Sequence, residues 1–159
     1  MKTRLIKSAD DQRMAEIIRT NLKAYKLDIP GTAYFDSNLD QLSTYYLADQ
    51  AHQAYYVLTD DEDRVMGGVG FAKAEPFDDC AELQKLYLDD MVKGQGLGYD
   101  LVALVEGAAK KLGYSHMYLE THSNLAPVIH IYEKMGYRLI ERPESVVHGG
   151  MDCFYIKDL

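Results

Sequence analysis

Residues 83–98 read Leu-Gln-Lys-Leu-Tyr-Leu-Asp-Asp-Met-Val-Lys-Gly-Gln-Gly-Leu-Gly, and this stretch decides the fold. It predicts a β-strand, a short turn and then a glycine-rich entry into a helix. Three glycines within five residues are costly, because glycine loses the most backbone freedom on folding. A helix N-terminus offers unpaired N–H groups and a partial positive charge, which suit a phosphate group. The stretch is therefore predicted to hold a phosphate-bearing cofactor.

The segments around this stretch predict a βαβ unit. The first strand covers residues 82–88, the helix covers residues 96–112, and the second strand covers residues 115–121. Apolar residues recur along the helix at helical spacing, and Gly113 marks its end. A strand, a helix of this length and another strand normally form a crossover between parallel strands.

The rest of the chain predicts further strands on both sides of that unit, at residues 3–7, 54–59, 64–74, 137–141 and 151–157. The remaining helices are predicted from their capping residues. Ser8 would cap the first helix, Ser37 or Asn38 the second, and Asn124 the last. Gly67 and Gly68 lie inside a predicted strand, which indicates a bulge or the close approach of another element. This alternation predicts a mixed α/β or α+β sheet covered by helices.

Composition and charge narrow the function classes. The 159 residues suit one compact domain, 1–159, and the net charge of −8 argues against a nucleic-acid partner, which needs basic patches. No signal peptide and no apolar run long enough to cross a membrane are found, so we expect a cytoplasmic protein without a membrane partner. Cys80 and Cys153 fit free thiols in a reducing compartment. We expect no metal, because the histidines show no ligand spacing; they are His52, His116, His122, His130 and His148.

Three motifs carry a family resemblance: Glu-Leu-Gln-Lys-Leu-Tyr-Leu at 82–88, Lys-Gly-Gln-Gly-Leu-Gly at 93–98 and Ile-Tyr-Glu-Lys-Met-Gly-Tyr at 131–137. Together they resemble the GCN5-related N-acetyltransferase (GNAT) superfamily. Its acetyl-CoA signature is Gln/Arg-x-x-Gly-x-Gly/Ala after a Leu-Tyr-Val strand, and its later helix reads Leu-Tyr-x-Lys-x-Gly-Phe. A Walker loop or a dinucleotide fingerprint does not fit the glycine spacing. Lys93 departs from the family's Gln or Arg, and a lysine meets a pyrophosphate only as a point charge.

The resemblance implies a fold and a cofactor. The fold is a central mixed, mostly antiparallel sheet of about seven strands flanked by about four helices. Their order is one strand, two helices, three strands, then helix, strand, helix and two strands. The co-substrate is acetyl-CoA, whose pantetheine arm lies where the sheet opens between residues 86–88 and 117–121 and pairs with strand backbone. The implied cofactor-binding residues are Leu86, Leu88, Lys93, Gly94, Gln95, Gly96, Leu97, Gly98 and Asn124.

The resemblance also implies catalytic roles. Tyr132 matches the family's tyrosine, whose hydroxyl protonates the leaving CoA thiolate, and a backbone N–H near Leu88 stabilises the oxyanion. The attacking amine must lose a proton. Strand alternation puts Glu82 on the face of Leu86 and Leu88, so Glu82 is the preferred general base. Its rivals near the end of the next strand are Glu120 and His122, and some family members use water instead.

The expected reaction is transfer of an acetyl group from acetyl-CoA to a primary amine of a small molecule or protein, by direct attack in a ternary complex. One alternative is a CoA-binding sensor or regulatory module of the same fold without transfer. Another is transfer of a longer acyl chain. The acceptor is not specified by the sequence, although the acidic balance weakly favours a cationic one. Many family members are homodimers, but no interface is evident in this chain.

Overall fold

The computed structural model describes residues 1–75, 77–146 and 149–159. Within these ranges the chain forms seven strands and four α-helices. The strands are β1 (Lys2–Leu5), β2 (Ala54–Thr59), β3 (Val65–Lys73), β4 (Cys80–Leu88), β5 (His116–Thr121), β6 (Arg138–Ile140) and β7 (Cys153–Asp158). The helices are α1 (Asp11–Ala24), α2 (Leu42–Leu47), α3 (Leu97–Lys111) and α4 (Ala126–Lys134).

The strands form one mixed sheet in the order β1-β2-β3-β4-β5-β7-β6. β4 and β5 run parallel, and the other neighbouring pairs are antiparallel. Helix α3 connects the two parallel strands, as a crossover between them requires. The predicted fold class, a mixed and mostly antiparallel sheet flanked by helices, is confirmed together with the predicted order of its elements.

Two apolar clusters cover the two faces of the sheet. One contains buried residues of α3 and the central strands, among them Leu101 and Leu58. The other contains buried residues of α1 and α2, together with Tyr55 and Val57 of β2. Residues 57 and 58 fall in different clusters because successive strand residues face opposite sides. Burying one large aliphatic side chain is worth roughly 1.5–3 kcal/mol, so these clusters hold the helices on the sheet.

Close packing explains the glycines of β3. A Cβ atom on Gly68 would lie 2.6 Å from the Tyr55 ring, and one on Gly70 would lie 2.5 Å from it. A Cβ atom on Gly67 would lie 2.6 Å from the side chain of Leu88 on β4. The close approach predicted at Gly67 and Gly68 is therefore present. These glycines let the fully buried Tyr55 ring lie flat against β3.

The predicted caps of the first two helices are wrong. Ser8 lies in a 3₁₀ turn, and α1 begins only after Asp10. A second 3₁₀ turn, Leu39–Gln41, separates Ser37 and Asn38 from the start of α2. A polar residue ahead of an apolar run predicts a cap, whereas short 3₁₀ turns commonly precede an α-helix and shift its start.

Candidate active site

The sheet opens where β4 and β5 diverge. Their parallel pairing covers three residues of each strand and ends at Glu82 opposite Tyr118. Beyond that point a cavity of about 540 Å³ lies between the strands and extends to the start of α3 and to α4. This is the opening that the family resemblance implied between residues 86–88 and 117–121.

Most of the predicted site residues lie on this cavity. Those that line it are Leu86, Leu88, Lys93, Gly94, Gly96, Leu97, Gly98 and Tyr132. Three predicted residues do not belong to the lining, and they are Glu82, Gln95 and Asn124. Residues of β4, of the glycine loop and of α4 therefore meet at one place, with apolar strand and helix side chains forming most of the walls.

The glycine loop forms the entry to α3. Gly94 and Gly96 adopt φ values of +77° and +79°, a left-handed conformation that side chains strongly disfavour. Gly96 is the N-cap residue, so the N–H groups of Leu97 and Gly98 lie in the first turn, where no intrahelical acceptor exists. A Cβ atom on Gly98 would lie 2.6 Å from Cδ1 of Ile131, so this glycine lets α3 pack closely on α4.

A single lysine accompanies this loop. The Nζ atom of Lys93 lies 2.5 Å from Oδ1 of Asp90 and 5.9 Å from the centre of the Tyr25 ring. Lys93 therefore lines the cavity beside the free N–H groups of the loop, with its charge paired to Asp90. Gln95 points elsewhere, since its amide donates to the main-chain oxygen of Met91.

Asn124 has a different role from the predicted cap. Its Nδ2 donates to the main-chain oxygen of Tyr25 at 3.0 Å, which ties the loop after β5 to the end of α1. Leu125 takes the N-cap position of α4, with no side-chain cap. The capping prediction is therefore wrong, while cofactor binding by Asn124 remains a prediction.

Tyr132 projects from α4 into the core beside the cavity. It is 5% exposed, and its ring lies 5.7 Å from the ring of Tyr137. Within the part of the chain that the structure describes, its hydroxyl has no hydrogen-bond partner. Burial raises the pKa of the Tyr132 hydroxyl, with a smaller contribution from Tyr87, so the group is protonated across the neutral pH range.

A β-bulge in β4 places Glu82 on the face of the sheet opposite to the predicted one. Gly68 pairs with Tyr87 but Gly70 pairs with Gln84, so two residues of β4 oppose one residue of β3. Lys85, at the bulge, has a φ of +52°, and its carbonyl accepts a hydrogen bond from the hydroxyl of Tyr55 at 2.8 Å.

The bulge reverses the alternation of side chains along β4. Leu83, Leu86 and Leu88 all contact the cluster under α3, whereas Tyr87 contacts the cluster under α1. Glu82 precedes the bulge by three residues and therefore lies on the face opposite to Leu86 and Leu88. The prediction that these three residues share a face is wrong, because strict alternation assumes an unbulged strand.

Glu82 instead belongs to a pair of carboxylates on the α1 side of the sheet. It lies opposite Tyr118 in the parallel ladder, and Glu120 follows two residues later on the same face. Burial, and then the nearby Glu120 carboxylate, raise the pKa of Glu82 to about 7. Burial also raises the pKa of Glu120, which lines the cavity. Gln84 donates a hydrogen bond of 3.3 Å to Glu82.

The second rival base, His122, is held in the turn after β5. Its Nδ1 accepts a hydrogen bond from the main-chain N–H of Asn124 at 3.0 Å, and its Nε2 lies 3.8 Å from Asp152. With Nδ1 as the acceptor, a neutral ring carries its hydrogen on Nε2, so neither nitrogen has a free lone pair to take a proton from an amine.

The backbone of Leu88 faces the cavity. The N–H of Asp89 donates to the oxygen of Met66 at 2.8 Å, so Asp89 faces β3. Neighbouring residues of an antiparallel strand point their backbone groups in opposite directions. The N–H and C=O of Leu88 therefore point away from β3, toward the opening between β4 and β5.

Sequence reasoning missed the contribution of α1. Asn21 and Tyr25, one turn apart, both line the cavity. The available signal was an asparagine within the apolar stripe, four residues after Ile17 and three after Ile18. A buried asparagine at such a position requires polar partners.

A smaller polar cavity of about 270 Å³ lies near Glu82, between β4 and the segment that precedes α2. Its lining carries hydroxyl, amide and charged groups, and the residues are Asp36, Ser37, Asn38, Tyr45, Gln84 and Lys85. The Nζ atom of Lys85 lies 2.9 Å from Asp36, which balances its charge. Lys85 also lines the large cavity, so this one residue of the bulge borders both cavities.

Comparison with known proteins identifies the family. The sequence model of the Acetyltransferase (GNAT) family matches residues 14–137. The chain belongs to this family. It is 33% identical over 146 residues to the uncharacterized N-acetyltransferase YjgM of Escherichia coli (strain K12), covering 91% of this chain and 85% of that protein. It is 26% identical over 140 residues to the uncharacterized N-acetyltransferase C1271.07c of Schizosaccharomyces pombe, covering 87% and 81%.

Solved structures of GNAT proteins have the same fold. A GNAT-family acetyltransferase from Staphylococcus aureus superposes with a TM-score of 0.84 at 16% identity, covering 99% of this chain and 98% of that one. PaiA N-acetyltransferase from Thermoplasma acidophilum, solved with coenzyme A, gives 0.78 at 19% identity and 99% and 98% coverage. YncA from Salmonella typhimurium, solved with acetyl-CoA, gives 0.77 at 22% identity and 99% and 93% coverage. The predicted family is confirmed.

Two further findings concern residues 1–75, 77–146 and 149–159. No helix there is long and apolar enough to cross a membrane. No group of three or more His, Cys, Asp or Glu side chains there is arranged to hold a metal ion. His148, one of the five histidines that show no ligand spacing in the sequence, lies outside these ranges.

Proposed function

We propose that the protein transfers an acetyl group from acetyl-CoA to a primary amine of a small molecule or protein, by direct attack in a ternary complex. One observation carries the proposal: the cavity between the diverging strands brings together the glycine loop, the backbone of Leu88 and Tyr132. Two GNAT neighbours, solved with coenzyme A and with acetyl-CoA, support the choice of co-substrate. Both curated relatives are named N-acetyltransferases, and nothing favours a CoA-binding sensor without transfer.

The cavity fits a CoA thioester. The N–H groups of Leu97 and Gly98, with Lys93 beside them, suit the pyrophosphate. A Cβ atom on Gly94 or Gly96 would meet nothing within 4 Å, so the space over the loop is open. The Leu88 backbone faces the cavity, with its oxygen already accepting a hydrogen bond from Asn21, and the apolar walls exclude water. When bound, acetyl-CoA supplies an activated acetyl group with a thiolate leaving group.

Tyr132 and the N–H of Leu88 would stabilise the negative charge that develops on the sulfur atom and on the acyl oxygen. The hydroxyl of Tyr132 holds its proton at neutral pH, and it can donate that proton to a sulfur atom in the cavity. The N–H of Leu88 can donate a hydrogen bond to an acyl oxygen. Both groups are held by packing rather than by flexible loops, since Tyr132 lies within the core and Leu88 ends a central strand.

We propose Glu82 as the general base. A carboxylate with a pKa of about 7 is well matched to proton removal near neutral pH. Its contact with Gln84, which lines the polar cavity, places it next to that cavity. The acceptor amine would therefore enter from the polar cavity and approach the thioester at the bulge, where Lys85 lines both cavities.

The half-buried carboxylates of Glu82 and Glu120 favour an acceptor that carries a positive charge. Glu82 and Glu120 lie on one face, and neither has a salt bridge in the described part of the chain. An ammonium group would compensate their charge before it loses its proton.

We further propose a cytoplasmic location, which the reduced cysteines Cys80 and Cys153 support.

The direct test is release of free CoA thiol from acetyl-CoA with a panel of amine acceptors. The panel should contain polyamines, amino acids, aminoglycosides and peptides with free N-termini, with longer acyl-CoA thioesters as a second series. Thiol release that depends on both acetyl-CoA and one class of amine is the expected result. Tight CoA binding without amine-dependent thiol release for any acceptor would contradict the proposed transfer.

A further inference from the structure

The side chain of Asn21 joins α1 to the end of β4 at the wall of the large cavity. Asn21 is 7% exposed. Its Nδ2 donates two hydrogen bonds, each of 2.9 Å, to the main-chain oxygens of Ile17 and Leu88. The first bond stays within the helix, and the second crosses to the strand whose backbone faces the cofactor cavity.

The chemistry of these partners fixes the orientation of the amide. Both partners are carbonyl oxygens, which only accept hydrogen bonds, so the NH₂ group must face them. If the amide were flipped, Oδ1 would face the main-chain oxygens of Ile17 and Leu88, and three acceptors would lie together with no hydrogen between them. Both Nδ2 hydrogens are then used, and Oδ1 remains with its two acceptor positions. Among the described residues Oδ1 has no donor, and it keeps accessible surface at the cavity that Asn21 lines.

We propose that Asn21 is a cofactor-binding residue whose Oδ1 accepts a hydrogen bond from an amide N–H of the pantetheine arm of acetyl-CoA. This inference rests on the proposed function, because it takes acetyl-CoA as the occupant of the cavity. Asn21 lines that cavity, and an amide N–H is a donor that the arm carries. The bond from Nδ2 to Leu88 meanwhile holds the strand backbone in place, so one side chain serves both the arm and the strand it lies along.

The position of Asn21 favours the pantetheine arm over the acceptor amine. Tyr25, one helical turn further on, lies beside Lys93 at the phosphate end of the cavity. Leu88 is the last residue of β4 before the glycine loop. Glu82, which is expected to meet the acceptor, precedes the bulge in β4 and does not line the large cavity. Asn21 is therefore on the cofactor side of the site.

The test compares ligands with and without the pantetheine arm. Asn21→Leu removes both polar functions at similar size, and Asn21→Ala is a second variant that favours the helix. We expect each to raise the Kd of CoA about tenfold, the loss typical of one buried hydrogen bond and its partner. The Kd of ADP, which has the diphosphate but no pantetheine, should stay the same. Calorimetry gives both constants without any turnover.

Thr32→Val is the matched control. Thr32 is also buried, and its hydroxyl lies within hydrogen-bond distance of two main-chain oxygens, those of Leu27 and Ile29, at 2.8 and 2.9 Å. It does not line the large cavity. This variant should lose stability like the Asn21 variants, yet bind CoA as the wild type does.

Three outcomes would overturn the inference. They are an unchanged Kd of CoA in folded Asn21 variants, an equal weakening of CoA and ADP, or the same loss in Thr32→Val. The proposed function fails separately. A wild-type protein that binds CoA but acetylates no amine would contradict transfer, while a selective loss of CoA affinity at Asn21 would still support the contact.

Discussion

Replacing Glu82 with glutamine tests the electrostatics of the site through protein stability. Burial and the Glu120 carboxylate raise the pKa of Glu82 from 4.5 to about 7. Between these two values the folded protein binds more protons at this position than the unfolded chain does, so stability falls as the pH rises. The full difference of 7 − 4.5 corresponds to roughly 3 kcal/mol, because one pKa unit is about 1.4 kcal/mol.

Glu82→Gln removes this titration at nearly constant size. The stabilisation that a protonated Glu82 provides is fully present below pH 4.5 and is lost as the pH rises through 7. The variant should therefore become more stable relative to the wild type by about 2–3 kcal/mol between pH 5 and pH 8. Urea unfolding followed by circular dichroism at both pH values measures this difference directly.

Glu62→Gln is the control for that measurement. Glu62 lies in the turn between β2 and β3, is 73% exposed and pairs with Arg64. A surface ion pair of this kind contributes little to stability, so the effect of Glu62→Gln on the free energy of unfolding should not depend on pH. If the difference between Glu82→Gln and the wild type were equally independent of pH, the carboxyl would not titrate near 7. The reasoning for Glu82 as a base poised at neutral pH would then be refuted.

Other predictions concern the cofactor side of the site. Tyr132→Phe should lower kcat while the Kd of acetyl-CoA by calorimetry stays nearly constant, and full turnover at every pH would exclude the acid role. Gly107→Ala, with open space around it, should stabilise the protein by about 0.5–1 kcal/mol in urea unfolding, and Gly98→Ala should stabilise it less, because its Cβ would lie 2.6 Å from Cδ1 of Ile131 and that side chain must shift. Lys93→Met should raise the Kd of CoA and reduce its dependence on salt; an unchanged salt dependence would mean that Lys93 meets no phosphate.

The cofactor side of the site was predictable because its determinants are local. The conformation of Gly94 and Gly96 follows from a strand that turns directly into a helix. The position of Tyr132 follows from its helical motif, once the fold is known. These signals lie within single segments of the chain, so a pattern of adjacent residues is enough to find them.

The face of Glu82 was not predictable in the same way. Its side chain is assigned correctly only if the bulge at Lys85 is known, and a bulge leaves a weak local signal at a residue that is not glycine. What supports it comes from β2 and β3: the Tyr55 hydroxyl bonds the Lys85 carbonyl, and Gly68 and Gly70 make room for the Tyr55 ring. A single extra residue in β4 thus places Glu82 on the α1 side of the sheet, whereas strict alternation would place it on the α3 side with Leu86 and Leu88.

Asn21 shows why the remaining part of the site requires the fold. Its bond to Leu88 joins residues that are 67 positions apart. No spacing rule connects a helix near the start of the chain with the end of a central strand. The sequence shows only an asparagine among apolar residues, which indicates a buried amide but not its partners. The fold supplies two carbonyl oxygens for the NH₂ group, and this leaves Oδ1 to face the cavity. The binding role of Asn21 thus follows from which half of its amide the protein leaves unpaired.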